Sequence, residues 1–189
     1  DIPLTVDANS AYTLKDIDLF KEMDQYQLQY IEQPLGEEDI VDHAALQKEI
    51  ETPVCLDESV VSYEAAEAAI RLGSCKVINI KSSRCGGVYE GKRIHDLCVA
   101  HGIPVWCGGM TELGIGRAQN VSFASLPGFT ELAHDVAAAN RYFDEDITSP
   151  MVDITDRCTI IVPDEDNGIR YEVDEKQIDK MEAGHWIFK

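Results

Sequence analysis

The sequence predicts an α/β fold with a parallel sheet. Three observations carry the prediction: short apolar segments that end in polar residues, helix-length stretches between them, and a constant spacing. The strand-like segments are LTVDAN (4–9), QYIEQP (29–34), PVCLDES (53–59), KVINIKSS (76–83) and IPVWCGG (103–109), each apolar before it turns polar. Asp7 to Glu32 is 25 residues, Glu32 to Asp57 is 25, Asp57 to Lys81 is 24 and Lys81 to Trp106 is 25. This is the period of a βα unit. Near-continuous apolar strands belong in sheets covered by helices. Charged groups at the carboxyl ends of successive strands favour a barrel, where those ends converge, over an open doubly wound sheet.

The segments between the strands read as helices. DIVDHAALQKEI (39–50) offers Asp39 as a cap and Ile40, Ala44 and Leu46 as a packed face, and SYEAAEAAIRLG (62–73) begins at the potential N-cap Ser62 and stops at Gly73. GVYEGKRIHDLCVAHG (87–102) puts Ile94, Leu97 and Cys98 on one face, although Gly91 weakens its middle. A further helix near 115–125 and a strand over FTELAHDV (129–136) extend the series to six strands, short of the eight that close such a barrel. The expected architecture is therefore an incomplete (β/α) TIM-type barrel, strands three to eight, over residues 1–148. A C-terminal extension, 149–189, follows as a polar, glycine-marked region with a brief helix near 174–182, packed on the barrel or on a separate cap domain.

The 189 residues suffice for a sizeable core. Sixteen Lys and Arg against 35 Asp and Glu leave a formal charge of −19. Phosphate-backbone binding depends on cationic side chains that displace counterions, so nucleic acid is not an expected partner. No apolar run approaches the roughly 20 residues that span a bilayer, and the opening DIPLTVDANS lacks the basic and apolar stretches of a secretion signal. The expectation is a soluble, cytoplasmic protein without a membrane partner. Six cysteines, at 55, 75, 85, 98, 107 and 158, form no closely spaced zinc or CxxC pair and read as reduced, buried thiols.

Asp7, Glu32 and Asp57 sit one per strand end on successive strands. Oxygen ligands from rigid strands suit a hard divalent cation, best Mg²⁺, with substrate oxygens and water completing its shell. The plain alternative is three acids at solvent-facing strand ends in an acid-rich chain. Lys81, after VINI, points its amine to the same end as a base or as a stabiliser of a developing anion; a lysine snorkelling to the surface is the alternative. RCGGVYEGKR (84–93) lacks the glycine spacing and the terminal Lys-Ser or Lys-Thr pair of a P-loop. The acidic runs GEED (36–39) and DEDN (164–167) read as solvated surface.

Five motifs then carry a resemblance: VDANSAYT (6–13), IEQPL (31–35), LDES (56–59), NIKSSRCGG (79–87) and GGMTELGIGRAQN (108–120). Together they resemble the enolase superfamily, its muconate-lactonizing subgroup, and within it the o-succinylbenzoate synthase and N-acylamino-acid racemase family. That resemblance implies a barrel domain partnered by an α+β capping domain, with one Mg²⁺ (or Mn²⁺) held by Asp7, Glu32 and Asp57. It gives Lys81 as the acid/base of a racemase, or as the group that stabilises the anionic intermediate of a synthase. Asn9, Gln33 and Glu58 are implied as groups around the ligands, and Ser83, Gly109, Met110 and Asp135 as substrate-side residues.

The implied reaction removes a proton beside a carboxylate, giving a metal-stabilised enediolate. In the synthase this expels a β-hydroxyl as water, in the route to menaquinone; in the racemase it is reprotonated on the opposite face. The substrate is a small-molecule carboxylate, and the full-length protein is expected to be a homo-oligomer. Two departures stand out. The family's second-strand KxK pair and capping domain have no counterpart here, so the chain reads as a C-terminal fragment, inactive without its N-terminal half or a complementary chain. The turn before the last aspartate is also altered, with His134 beside Asp135. A noncatalytic metal-binding scaffold is the reading from a different class.

Overall fold

The computed structural model describes residues 2–163, 169–184 and 186. Five strands, β1 (Thr5–Asp7), β2 (Tyr30–Glu32), β3 (Val54–Leu56), β4 (Val77–Ile80) and β5 (Val105–Cys107), pair in sequence order, all parallel. Helices α1 (Ile17–Met23), α2 (Val41–Glu49), α3 (Tyr63–Leu72) and α4 (Val88–Ala100) make the crossovers. This is the curled sheet of an incomplete TIM-type barrel, as the spacing predicts. The chain divides into two compact units: Asp1–Gly108 with Pro127–Ala133, and Gly109–Leu126 with His134–Lys189.

In the first unit, β2 to β5 are buried along their whole length, the signature of strands covered on both faces. Registered residues of a parallel pair share a face, and the two-residue period carries that assignment along each strand. Tyr30, Cys55, Val77 and Trp106 cluster on one face, with Leu132 packed against them. The Tyr30 and Trp106 rings stack at 6.0 Å, and Trp106 Nε1–H donates to Cys55 Sγ at 3.4 Å. Ile31, Leu56, Ile78, Ile80 and Val105 fill the opposite face and are likewise buried.

Local chemistry sets the helix ends. Ser62 Oγ accepts from Ala65 N, and Gly73 closes α3 at φ +71°, a conformation that glycine adopts without a Cβ penalty. The Asp39 carboxylate, one residue before the N-cap Ile40, accepts from Asp42 N in the first turn of α2 at 2.8 Å. Gly91 is buried inside α4, as are Ile94, His95 and Cys98.

The second unit holds α5 (Gly114–Ala124), a two-stranded antiparallel ribbon of β6 (Thr148–Ser149) and β7 (Glu172–Val173), and α6 (Glu175–Met181). Ala118, Val121 and Val152 form its small core, with Val136, Ile160, Ile169 and Tyr171 packed around them. Asp174 caps α6 by accepting from the amides of Lys176 and Gln177.

Three expectations change. No strand runs over 129–136; Asp135 alone is a bridge residue, so the parallel sheet has five strands rather than six. Gly128 turns the chain at φ +115°, Phe129 is committed to a ring contact with His95 at 4.7 Å, and the segment passes from one unit to the other after Ala133. Five cysteines are buried and form no disulfide, but Cys158 is exposed, because its stretch lies in a tight turn with φ +57° rather than in the sheet. The GEED run is exposed over residues 36–38, but Asp39 is half-buried and bonded to the Asp42 amide; DEDN lies outside the described residues. Among the described residues no helix is long and apolar enough to cross a membrane.

A single carboxylate ties the α1 end of the first unit to the turn before β3. Asp24 accepts from Glu51 N (3.0 Å), Thr52 N (2.9 Å) and Thr52 Oγ1 (2.6 Å). Burial pushes its pKa up, but these three donors and Lys76 outweigh burial, so the net shift is downward. A depressed carboxyl stabilises the fold above the ordinary carboxylate range, and that contribution is lost as pH falls through the lowered value. Asp24→Ala is expected to cost about 2 kcal/mol at neutral pH, with the difference from the parent shrinking in acid; urea denaturation at a series of pH values measures both.

Candidate metal centre

The strand register assembles a charged layer above the aromatic floor. Asp7 pairs with Glu32, and Glu32 with Cys55. Asp57 is two residues beyond Cys55 on β3, while Asn79 and Lys81 are two and four beyond Val77, the partner of Cys55. By parity all five polar residues belong to the face that carries Tyr30, Cys55 and Trp106. Asp7, on the outermost strand, is exposed; Glu32 and Asp57 are buried, with 6% and 1% of their surface accessible.

Each carboxylate has a different partner. Asp57 Oδ2 accepts from Lys81 Nζ at 2.8 Å, and Oδ1 is ion-paired to Arg84. Glu32 Oε1 accepts from Asn79 Nδ2 at 2.8 Å. Burial, followed by the charges of Asp7 and Asp57, raises the Glu32 pKa to about 7, against the opposing pull of Asn79 and Lys81. Asp7 Oδ1 accepts from the backbone N–H of Asn9 at 2.9 Å, so Asn9 supports it through its amide, at φ +44°, rather than through its side chain. Burial raises the Glu58 pKa, and its Oε2 is enclosed with no hydrogen-bond partner among the described residues. Lys81 is held by Asp57.

Gln33 holds two strand-end loops together. Its Oε1 accepts from the amides of Asp57 (3.0 Å) and Ser59 (3.3 Å), and its Nε2 donates to Ser59 Oγ (2.7 Å) and to the carbonyl of Leu35 (3.2 Å). Behind it, His43 on α2 accepts from Leu35 N through Nε2 and contacts Asp39 O through Nδ1. That pattern requires a neutral ring with its proton on Nδ1, and burial lowers the His43 pKa accordingly.

Among the described residues no three His, Cys, Asp or Glu side chains stand close enough together to hold a metal ion. Asp57 is turned to Lys81 and Arg84, and Asp7 to its own loop. The donor set nevertheless fits a hard cation: three carboxylates on one face of consecutive strands, with Glu32 Oε2 bound to nothing among the described residues.

The remaining candidates divide between the units. Ser83 is exposed in the turn after β4, in the first unit. Gly109, Met110 and Asp135 belong to the second. A Cβ at 109 would overlap the backbone oxygen of Asp135, which explains the glycine. Met110 is exposed, and its amide donates to both carboxylate oxygens of Glu112 at 2.8 Å. Glu112 also accepts from Asn120 Nδ2 at 2.8 Å, fastening this loop to α5. Asp135 is exposed, 4.0 Å from Arg141. Sequence reasoning missed Asn79, Arg84 and Glu112. Alternation along VINIK places Asn79 on the Lys81 face, but nothing local marks Arg84 as a partner of Asp57.

Residues 1–177 match the family model described as Enolase C-terminal domain-like. The chain belongs to the enolase superfamily. Within it, an o-succinylbenzoate synthase from Geobacillus stearothermophilus is 52% identical over 180 residues, which are 95% of this chain and 47% of that protein. An N-succinylamino acid racemase from Amycolatopsis sp is 55% identical over 152 residues, 80% of this chain and 41% of that protein. A solved enolase-superfamily member from Enterococcus faecalis V583 superposes with a TM-score of 0.89 at 43% identity, covering 95% of this chain and 48% of that one. The chain thus spans about half the length of the curated relatives it matches.

Because Gln33 satisfies two buried amides of the β3 loop, Gln33→Leu would leave those donors unpaired. The expected cost is about 3 kcal/mol, read as a lower urea midpoint at unchanged slope; an unaltered midpoint would show that the loop does not depend on this side chain.

Proposed function

We propose that the protein carrying this chain is an o-succinylbenzoate synthase: a Mg²⁺-dependent lyase that dehydrates a succinyl-hydroxycyclohexadiene carboxylate to o-succinylbenzoate. The observation that carries the reading is the single face on which Asp7, Glu32, Asp57 and Lys81 occupy successive strand ends. The identity to a named synthase over nearly the whole chain supports the choice of substrate.

Asp7, Glu32 and Asp57 would hold the cation. When bound, Mg²⁺ supplies positive charge where negative charge develops on a substrate carboxylate. Lys81 holds its ammonium beside Asp57, at the end of β4, where it stabilises an anion made by removal of the adjacent proton. The family's second-strand lysine pair would take that proton and return it to the departing β-hydroxyl, which leaves as water. The stacked floor of Tyr30 and Trp106 closes the layer beneath these groups and excludes water from below.

A second reading, N-acylamino-acid racemization, is favoured by the racemase relative and uses the same residues, with Lys81 returning a proton to the opposite face of the carbanion. The two readings part on substrate turnover, and both part from a noncatalytic scaffold on turnover of either substrate. In the protein carrying this chain, Glu32→Gln is expected to abolish Mg²⁺ binding measured by calorimetry. Lys81→Ala is expected to keep Mg²⁺ binding and to lose about 100-fold or more in kcat for dehydration. Mg²⁺ binding without turnover of either substrate by the parent protein would favour the scaffold.

A further inference from the structure

Among the described residues, Glu32 is the most deeply enclosed acid without an ion-paired cation. A buried carboxylate needs a donor, and the kind of donor decides what else it can bind. Lysine or arginine would balance the charge of Glu32, as Lys81 and Arg84 do at Asp57. Glu32 instead meets an amide: Asn79 Nδ2 donates to Oε1 at 2.8 Å and leaves Oε2 accepting from nothing among the described residues. Asn79 is itself buried, with 1% of its surface accessible, and its Oδ1 has no hydrogen-bond partner among the described residues. The amide is therefore held by one bond and by its walls.

One of those walls is Gly108. A Cβ at that position would stand 2.6 Å from Asn79 Nδ2 and 2.8 Å from Cγ, with Oδ1 nearer still. Asn79 is in register with Trp106, two residues before Gly108, so both lie on the same face of neighbouring strands. The glycine is thus the clearance into which the amide fits.

We infer that Asn79 is a positioning residue for Glu32: a neutral donor that fixes one carboxylate oxygen without cancelling its charge, leaving the other to a divalent cation, with Gly108 as the space that seats it. The inference rests on the proposed role of Glu32 as a metal ligand. A neutral donor of this kind typically contributes about 10- to 100-fold in metal affinity.

The test is a double-mutant cycle on the protein carrying this chain, read by calorimetric Mg²⁺ affinity with a thermal melt to verify folding. Asn79→Leu, close in shape but without a donor, is expected to weaken Mg²⁺ binding about 10-fold or more. Asn79→Ala, the smaller change, serves if leucine does not fold. Gly108→Ala is expected to weaken binding similarly in the parent, by displacing the amide, and to have little further effect in the Asn79→Ala background, where the obstructing atoms are gone. A folded Asn79 variant that binds Mg²⁺ as tightly as the parent, or a Gly108→Ala cost that is the same in both backgrounds, would overturn the inference. A parent protein whose Mg²⁺ affinity is unchanged by Glu32→Gln would overturn the ligand reading beneath it instead.

Discussion

A parallel ladder places registered residues on one face, so the pairings of Asp7 with Glu32 and of Glu32 with Cys55 decide where every charged strand end in the first unit points. Side chains alternate with a period of two, and a slip of one residue would turn a whole strand over. Slipping β3 by one would send Asp57 among the residues of Ile31 and Ile78, and bring Leu56 into the charged layer. Apolar residues on both faces of β2 to β5 make such a slip costly, because the buried set would no longer match the covering helices.

That same burial creates an electrostatic problem, which is solved differently at each acid. Asp57, nearly inaccessible, is matched by two cations, and removing one partner from a buried ion pair leaves an uncompensated charge. Glu32 meets a neutral amide, and burial raises its proton affinity despite that bond. Asp7, at the sheet edge, remains exposed and needs only a local backbone amide. A gradient from solvated to enclosed carboxylate thus runs across three adjacent strands, and it follows from their place in the sheet rather than from differences in residue type.

The stretch after α5 shows where local reading fails. FTELAHDV has the composition of a strand, yet Phe129 packs on His95 within the first unit, and the chain changes unit after Ala133. Strand propensity is weak against such packing. Glu112 reads as one acid among 35, but it collects the Met110 amide and the Asn120 side chain at the start of α5. Its role depends on a turn and a helix face that no run of residues announces.

The sequence by itself determined the βα period, the helix start at Ser62 and stop at Gly73, the placement of Asp7, Glu32, Asp57 and Lys81 at strand ends, and membership of the enolase superfamily. Each of these is a local or periodic property, written in residues a few positions or one unit apart. Only the tertiary structure decided the pairings: Asn79 with Glu32 across 47 residues, Arg84 and Lys81 with Asp57 across 27 and 24, and Gln33 with the amides beyond β3. Those partners are chosen by sheet register and by the space that a single glycine leaves, and neither is a property of any one segment of the chain.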